Sequence, residues 1–218
     1  VATLDVELGM IEAADGQYAA AIKRYRTIID RTTATFGPDY AGLTGALSAM
    51  GASQLRSGDY AGAETSFGRV LALRRKVYGD HHADVARAHL NLASTHYYQG
   101  KFEPAIESYR AAEAISRSVL GGRHPEVATI RSGLALALQA TNRLDEAGTA
   151  IRDVIAIYRD LPGHDRPLAD ALMTLGMIEL SADRTATART ALEESHAIQR
   201  KSYGEDHVEL APILSILG

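Results

Sequence analysis

The chain of 218 residues contains no cysteine, no tryptophan and only six prolines. The absence of cysteine excludes disulfides, thiolate metal ligands and a thiol nucleophile. No run of eighteen apolar residues is present that could span a membrane, and the first ten residues carry acids where a signal peptide carries bases. We therefore expect a soluble protein, with the cytoplasm as its default location.

A strong positive charge is also missing, because the net charge is -4. Proteins that bind nucleic acid neutralise its phosphates with a basic surface, so we do not expect nucleic acid as a partner. The sequence contains no phosphate-binding glycine loop, no metalloprotease helix motif and no nucleophile elbow. It therefore predicts no enzyme, no cofactor and no metal site.

The sequence does contain a short motif, Gly-x-Tyr-x-x-Ala or a variant of it, that recurs five times. The motifs begin at Gly16, Gly58, Gly100, Asn142 and Asp183, with spacings of 42, 42, 42 and 41 residues. A second motif keeps the same period at Phe36-Gly37, Tyr78-Gly79, Leu120-Gly121, Leu161 to Gly163 and Tyr203-Gly204. Two markers with one period indicate tandem repeats, and we place the missing residue in the turn at 161–167.

Between these markers the apolar residues have helical spacing, as in Leu47, Met50 and Leu55. Glycine at the first marker suits a left-handed helix end, so each repeat is predicted to be two antiparallel helices. The predicted pairs are 2–15 with 18–35, 40–57 with 60–78, 82–99 with 102–120, 125–141 with 144–161 and 166–182 with 185–203, followed by a single helix at 207–217.

Small residues recur where the two helices of a repeat must touch. They are Gly9, Gly51, Ala93, Ala135 and Gly176 on the first helices and Ala21, Ala63, Ala105, Ala147 and Ala188 on the second helices. A third column holds ring or branched residues at Tyr25, Phe67, Tyr109, Ile151 and Leu192. These columns predict a core that continues from one repeat to the next.

The columns resemble the tetratricopeptide signature of Leu-Gly/Ala, Gly-x-Tyr-x-x-Ala and an aromatic residue. The 42-residue period and turns such as Tyr78 to His82 are similar to the kinesin light chain branch of that family. HEAT and armadillo repeats share the period but lack the Gly-x-Tyr-x-x-Ala turn. The resemblance implies an all-α, right-handed superhelix, a TPR solenoid of five helix-turn-helix repeats plus one extra helix.

This single solenoid would cover residues 1–218, with repeats at 1–39, 40–81, 82–124, 125–165 and 166–206 and a partial sixth at 207–218. Because solenoids need polar caps at both ends, we expect the chain to be a fragment of a longer protein. The sequence has nineteen arginines to four lysines, with abundant alanine and glycine, which predicts a GC-rich and bacterial source.

The histidines suggest one possible metal site, because His82, His89 and His96 are seven residues apart. Residues at this spacing lie about 10 Å apart along a helix, too far to share one ion without further ligands. We therefore interpret His82, His124 and His207 as turn residues.

An arginine column recurs near the end of each second helix, at Arg75, Arg117, Arg159 and Arg200. Cations at this position complement the helix dipole and can pair with neighbouring acids. We favour that interpretation over the alternative of an anion-binding ladder.

In a tetratricopeptide superhelix the first helices line the concave face, so we expect a protein or peptide ligand to bind there. The predicted contact residues are Arg56, Arg87, Asn91, Ser94, Tyr98, Asp170, Thr174 and Met177. In kinesin light chain relatives, asparagines of a Leu-Asn-Asn-Leu-Ala run hold the ligand backbone, and here only Asn91 matches. The ligand and motor role of those relatives are therefore not expected.

The predicted function is a non-catalytic protein-protein or peptide interaction module. The alternative is a regulatory or sensor segment of a larger signalling enzyme, such as a protein kinase, a signalling ATPase or a caspase-like protease. Its catalytic domain would lie outside this chain. The oligomeric state is left open.

Overall fold

The computed structural model describes the backbone of residues 2–203 and the side chains of residues 4–201. Within that range the chain forms ten helices and no strand. The predicted helix at 207–217, with His207 and Gly204, lies outside the described residues. The helices are α1 (Ala2–Ala14), α2 (Tyr18–Phe36), α3 (Leu43–Ser57), α4 (Tyr60–Tyr78), α5 (Ala83–Tyr98), α6 (Phe102–Leu120), α7 (Pro125–Ala140), α8 (Leu144–Arg159), α9 (Asp165–Ser181) and α10 (Thr185–Tyr203).

The five predicted helix-turn-helix pairs and the all-α class are confirmed. The described helices fall into two compact units, Val1–Val119 and Leu120–Gly218. In the first unit α1 packs against α2, α2 against α3, α3 against α4 and α4 against α5. In the second unit α7 packs against α8, α8 against α9 and α9 against α10. This contact between neighbours along the chain is the pattern of a repeat protein.

The turn inside each repeat has the left-handed residue that the first motif predicted. Gly58 has φ 82°, and the Asp59 amide donates to the Gln54 carbonyl at 2.8 Å, which closes the helix end. In the last two repeats Asn142 and Asp183 take this role with φ of 59° and 58°. Asparagine and aspartate tolerate this conformation better than other residues with a Cβ atom, which explains why they replace glycine here.

The predicted columns of small residues are buried. All five second-helix alanines have no exposed surface. The first-helix glycines face the ring column: a Cβ atom on Gly9 would lie 2.6 Å from Tyr25 Cε1, and one on Gly176 would lie 2.6 Å from Leu192 Cγ. These glycines therefore allow a close approach between the two helices of a repeat.

Two predicted helix boundaries are wrong by more than one residue. Helix α3 begins at Leu43 instead of residue 40, because residues 40–44 form tight turns and the Tyr40 ring stacks on Phe36 at 4.6 Å. Helix α8 ends at Arg159 instead of residue 161. Pro162 has no amide to donate to a further helical turn. Gly121 and Gly163 both have positive φ and are 42 residues apart, so the missing residue lies after Gly163, in the turn where it was predicted.

His82 and His124 lie in the turns between repeats, as predicted, and each caps the helix that follows. Nδ1 of His82 accepts from the Asp84 amide at 3.1 Å, and Nδ1 of His124 accepts from the Glu126 amide at 3.2 Å. The His82 ring also stacks on Tyr78 at 4.3 Å. These contacts give the turn histidines a structural role.

The arginine column makes the salt bridges that were expected of helix ends. Arg75 pairs with Asp80 at 2.7 Å, Arg117 with Glu113 at 3.3 Å and Arg159 with Glu194 at 2.7 Å. These partners neutralise the cations and argue against an anion-binding ladder.

Candidate functional site

The first unit contains a groove between two first helices, with a volume of about 270 Å³. We call it the α1/α3 groove. One side is formed by α1 with the Tyr25 ring of α2, and the other by α3. The lining residues are Met10, Ala13, Ala14 and Tyr25 on the first side, and Ala49, Ala52, Ser53 and Arg56 on the second.

The small side chains of α3 leave this groove open and make it mainly apolar. The Ser53 hydroxyl donates to the Ala49 carbonyl at 3.0 Å, so its hydrogen-bonding capacity is used within the helix. Arg56 lies exposed in the last turn of α3. Within the part of the chain that the structure describes, no acidic side chain pairs with its guanidinium. The groove therefore combines an apolar interior with one available cation.

Three of the predicted contact residues lie on α5, the first helix of the next repeat. Their register positions are those of α3 residues that line the α1/α3 groove. Asn91, Ser94 and Tyr98 correspond to Ala49, Ala52 and Arg56 of the α1/α3 groove. Asn91 is half-buried, and its side-chain amide has no hydrogen-bond partner among the described residues. The Ser94 hydroxyl donates to the Leu90 carbonyl at 3.1 Å and lies 3.4 Å from the Tyr109 hydroxyl. Asn91 is therefore the better placed of these two to bond to a ligand.

The side chain of Tyr98 belongs to an aromatic cluster at the end of α5. Tyr98 is 59% exposed, and its ring lies parallel to Tyr60 with centroids 6.0 Å apart. Tyr97 meets Tyr98 edge-on at 5.7 Å and Phe102 at 5.6 Å. Tyr60 and Phe102 were not predicted as site residues, because they stand in the Gly-x-Tyr motif that had served only to mark the repeat.

Arg87 is a weaker candidate than the sequence suggested. Its guanidinium is paired with the Asp84 carboxylate three residues earlier on α5. Asp84 also contacts a second arginine, because Nη1 of Arg74 donates to its backbone carbonyl at 2.9 Å. A ligand acid would have to compete with Asp84 for Arg87.

The second unit holds the other three predicted residues on one side of α9, at spacings of four and three residues. Met177 is 47% exposed, and exposed Leu136 on α7 has the same register position. The Thr174 hydroxyl donates to the Asp170 carbonyl at 2.9 Å, while Asp170 itself is exposed. Exposed Leu136 and Met177 make part of this surface apolar.

Glu64 on α4 lies near the aromatic cluster, and its pKa is well below the ordinary value. Lys101 Nζ and Gln99 Nε2 donate to its carboxylate at 2.8 and 2.9 Å, and these hydrogen bonds lower its pKa to about 2. His96 Nε2 lies 3.4 Å away on α5. The carboxylate therefore stays charged in acid and links α4 to the α5–α6 turn.

We expect Glu64 to stabilise the fold in a pH-dependent way. Since its folded pKa is below the ordinary value of 4.5, its contribution is complete above that pH and is lost as the pH falls towards 2. The Glu64→Gln variant should therefore be less stable near neutral pH by up to about 1 kcal/mol, a partly exposed pair being screened by solvent. Urea titrations of the parent and the variant, near neutral pH and at pH 2, measure the difference between their free energies of unfolding. A difference that persists at pH 2 would contradict the assignment.

The described residues include no group of three or more histidine, aspartate or glutamate side chains that could hold a metal ion. His89 is half-buried, which lowers its pKa, and it does not form such a group with His82 and His96.

Among the described helices, none has the length and apolar character needed to cross a membrane.

Models of the family described as tetratricopeptide repeat match residues 1–71, 43–118 and 105–160, and a second model of the same description matches residues 168–209. The chain belongs to the tetratricopeptide repeat family. No curated protein is significantly similar to it in sequence.

Solved structures of this repeat type share its fold. A putative kinesin light chain from Podosopora anserina with nearly identical TPR-like repeats has a TM-score of 0.82 at 20% identity, over 93% of this chain and 97% of that one. BtubC (BKLC) from P. vanneervenii has a TM-score of 0.81 at 21% identity, over 92% and 80%. The apo form of RapI has a TM-score of 0.81 at 16% identity, over 98% and 56%. At these identities the similarity establishes the fold alone.

Proposed function

We propose that this tetratricopeptide chain is a non-catalytic module that binds a segment of another protein on its first helices. The α1/α3 groove carries this proposal, because it is an apolar groove of about 270 Å³ with an available cation at its rim. The tetratricopeptide fold is generally a protein-binding and non-catalytic one, which supports the same function.

The chemistry of the groove defines the ligand. The alanines and Met10 of the groove offer an apolar site for a side chain, and methionine adapts to ligands of different shape. Arg56 can donate to a carboxylate on the neighbouring ligand residue. One repeat further along the chain, Asn91 has the register position of Ala49, and its side-chain amide can both donate to and accept from a peptide backbone. We therefore propose a peptide in which an apolar residue stands next to an acidic one.

In the second unit, Leu136, Met177 and Leu180 are exposed on the first helices. They offer an apolar surface of that unit to a ligand. Gln139 Nε2 lies 3.4 Å from the Ser181 hydroxyl and joins α7 to α9 beside this surface. We propose that Asp170, Thr174 and Met177 contact a ligand at this surface of the second unit.

Arg56→Glu should weaken the binding of such peptides by about tenfold or more, because it replaces a charge-assisted hydrogen bond with repulsion. Ligands would be selected from a displayed library of random peptides, and their affinities measured by fluorescence anisotropy. The matched control is Arg26→Glu, which makes the same change of charge on the exposed surface of α2.

The Asn91→Ala, Tyr98→Ala double variant tests the α5 part of the same surface and should also weaken binding. Melting temperatures of all variants should match the parent. Equal affinities of the Arg56→Glu variant, the α5 double variant and the parent would show that the first helices are not the binding surface.

A further inference from the structure

The second unit contains a groove between two second helices, with a volume of about 310 Å³. We call it the α8/α10 groove. Two leucines of α9 form its floor, and two turns each of α8 and α10 form its walls. The lining residues are Leu172 and Leu175 on the floor, Arg152, Ile155, Ala156 and Arg159 on α8, and Thr187, Thr190, Ala191 and Glu194 on α10.

The preceding repeat of the same unit places a long side chain at the register position of the groove floor. Arg131 on α7 has the register of Leu172, and Asp153 on α8 has that of Glu194. The Arg131 side chain is only 16% exposed, and its guanidinium pairs with the Asp153 carboxylate. In α9 the shorter Leu172 leaves the groove open. The repeat therefore accommodates an unbranched alkyl chain at this position.

An ion pair closes one end of the groove. Nη2 of Arg159 donates to both carboxylate oxygens of Glu194 at 2.7 Å, which joins α8 to α10. Because Glu194 is neutralised in this way, this end offers a cationic ligand no unpaired carboxylate.

The other end carries a cation with unused donors. Arg152 lies seven residues before Arg159, about 10 Å away along α8. Its Nη2 donates to Glu179 at 2.5 Å, and its guanidinium has no other acceptor in the described part of the chain. Glu179 is shared, since Arg184 lies 3.3 Å from its second oxygen. The Thr187 hydroxyl, in the first turn of α10, also has no hydrogen-bond partner among the described residues. This end therefore suits an anion.

We propose that the α8/α10 groove binds an amphiphilic carboxylate, a molecule with an unbranched alkyl chain and one terminal carboxylate. The alkyl chain lies over the two leucines of the floor and is removed from water there. The carboxylate accepts from Nε or Nη1 of Arg152 and from the Thr187 hydroxyl. The volume of the groove is at the lower end of the range for small-molecule sites. This site is separate from the α1/α3 groove and does not depend on the peptide ligand proposed there.

The test uses decanoate as the probe. Decylammonium and decanol are its controls, because they carry the same alkyl chain with a cationic and an uncharged head. Binding to the whole chain would be measured by isothermal titration calorimetry, below the concentrations at which these molecules form micelles. Decanoate should bind about tenfold more tightly than decylammonium, with decanol between them. The proposal is overturned if decanoate does not bind, or if either control binds as tightly as decanoate.

An Ala156→Leu, Thr190→Leu chain should bind decanoate about tenfold more weakly, because larger side chains from both walls occupy the groove. Both residues are exposed, so the fold loses no packing. The matched control is Ala114→Leu with Thr149→Leu, which makes the same changes at exposed positions of the same register one repeat earlier. It should leave the affinity unchanged. Equal affinities of these two variants for decanoate would show that the ligand does not lie in the α8/α10 groove.

An Arg152→Met, Glu179→Leu chain removes the cation together with its buried partner, so no unpaired charge is left in the core. Arg184 keeps its pair with Asp145. This variant should bind decanoate about tenfold more weakly and decanol as tightly as the parent does. An unchanged affinity for decanoate, or an equal loss of affinity for decanol, would contradict the role of Arg152 in holding the carboxylate.

Discussion

Replacing Gly51 by leucine should lower the free energy of unfolding by about 3 kcal/mol, because the new side chain has no space at the contact between α3 and α4. A Cβ atom at this position would already lie 2.9 Å from Phe67 Cε1 and 3.0 Å from Cζ. Phe67 is 2% exposed, so its ring cannot turn into solvent. The two helices would have to separate, and the packing of the repeat core would be lost.

Gly45→Leu is the matched control for this prediction, because it makes the same substitution in the same helix. No atom lies within 4 Å of a Cβ built on Gly45, and the residue is exposed. Leucine favours helix over glycine, so this variant should be as stable as the parent or slightly more stable. Urea unfolding followed by the helical circular dichroism signal measures both variants. Equal stability of the Gly51→Leu chain and the Gly45→Leu chain would show that the glycine column does not mark close helix contacts.

The repeat architecture could be predicted from sequence because its signals are local. A left-handed helix end needs glycine, asparagine or aspartate, and this need recurs at Gly58, Gly100 and Asn142 with one period. The glycine and ring columns follow from the same geometry, since a ring on the second helix fits only against a residue without a large side chain. These requirements act within one repeat, so the sequence of that repeat records them.

The boundaries that were wrong depend on contacts outside the helical pattern. Tyr40 has no feature that excludes it from a helix, yet its ring stacks on Phe36 and delays the start of α3. In the same way, the end of α8 is set by Pro162 and by the stacking of Tyr158 on His164 at 5.7 Å. Such side-chain contacts are not visible in the spacing of apolar residues.

The candidate site was only partly predictable, because the availability of a charge depends on its neighbours. Arg56 and Arg87 look alike in the sequence, and each has an aspartate three residues away. Asp84 pairs with Arg87, whereas Asp59 accepts from the Gly62 amide and from Gln54 Nε2, both at 3.0 Å. The helix break at Gly58 commits Asp59 to capping α4, and Arg56 is left available to a ligand.

One column, which is polar in four of the five repeats, was not recognised from the sequence at all. Three residues after the small residue of each first helix stand Glu12, Gln54, His96, Leu138 and Glu179. The residue type changes from repeat to repeat, so no motif marks the position. In the structure its four polar members contact side chains of neighbouring second helices. The last of them, Glu179, is a buried charge.

Glu179 has no exposed surface and is held by two arginines. Arg152 Nη2 of α8 donates to Oε1 at 2.5 Å, and Arg184 Nη1, before α10, lies 3.3 Å from Oε2. Arg184 also pairs with Asp145. Gly148 lies beside the bridge, and a Cβ there would make ordinary contacts of 3.4 Å with both Arg152 and Glu179. The network joins the fourth repeat to the fifth.

The Arg152→Met, Arg184→Met double variant should lose about 3–5 kcal/mol of stability near neutral pH, because it leaves the buried Glu179 carboxylate without a partner. Adding Glu179→Leu should restore the stability to that of the parent or above, since a well-packed apolar residue can replace a buried ion pair without loss. The fourth repeat supports this rescue, because Leu138 fills the same register position and is 2% exposed. Urea unfolding of the parent, double and triple variants measures both steps. If the triple variant is no more stable than the double variant, the loss comes from the packing of the arginine side chains and not from the unpaired charge.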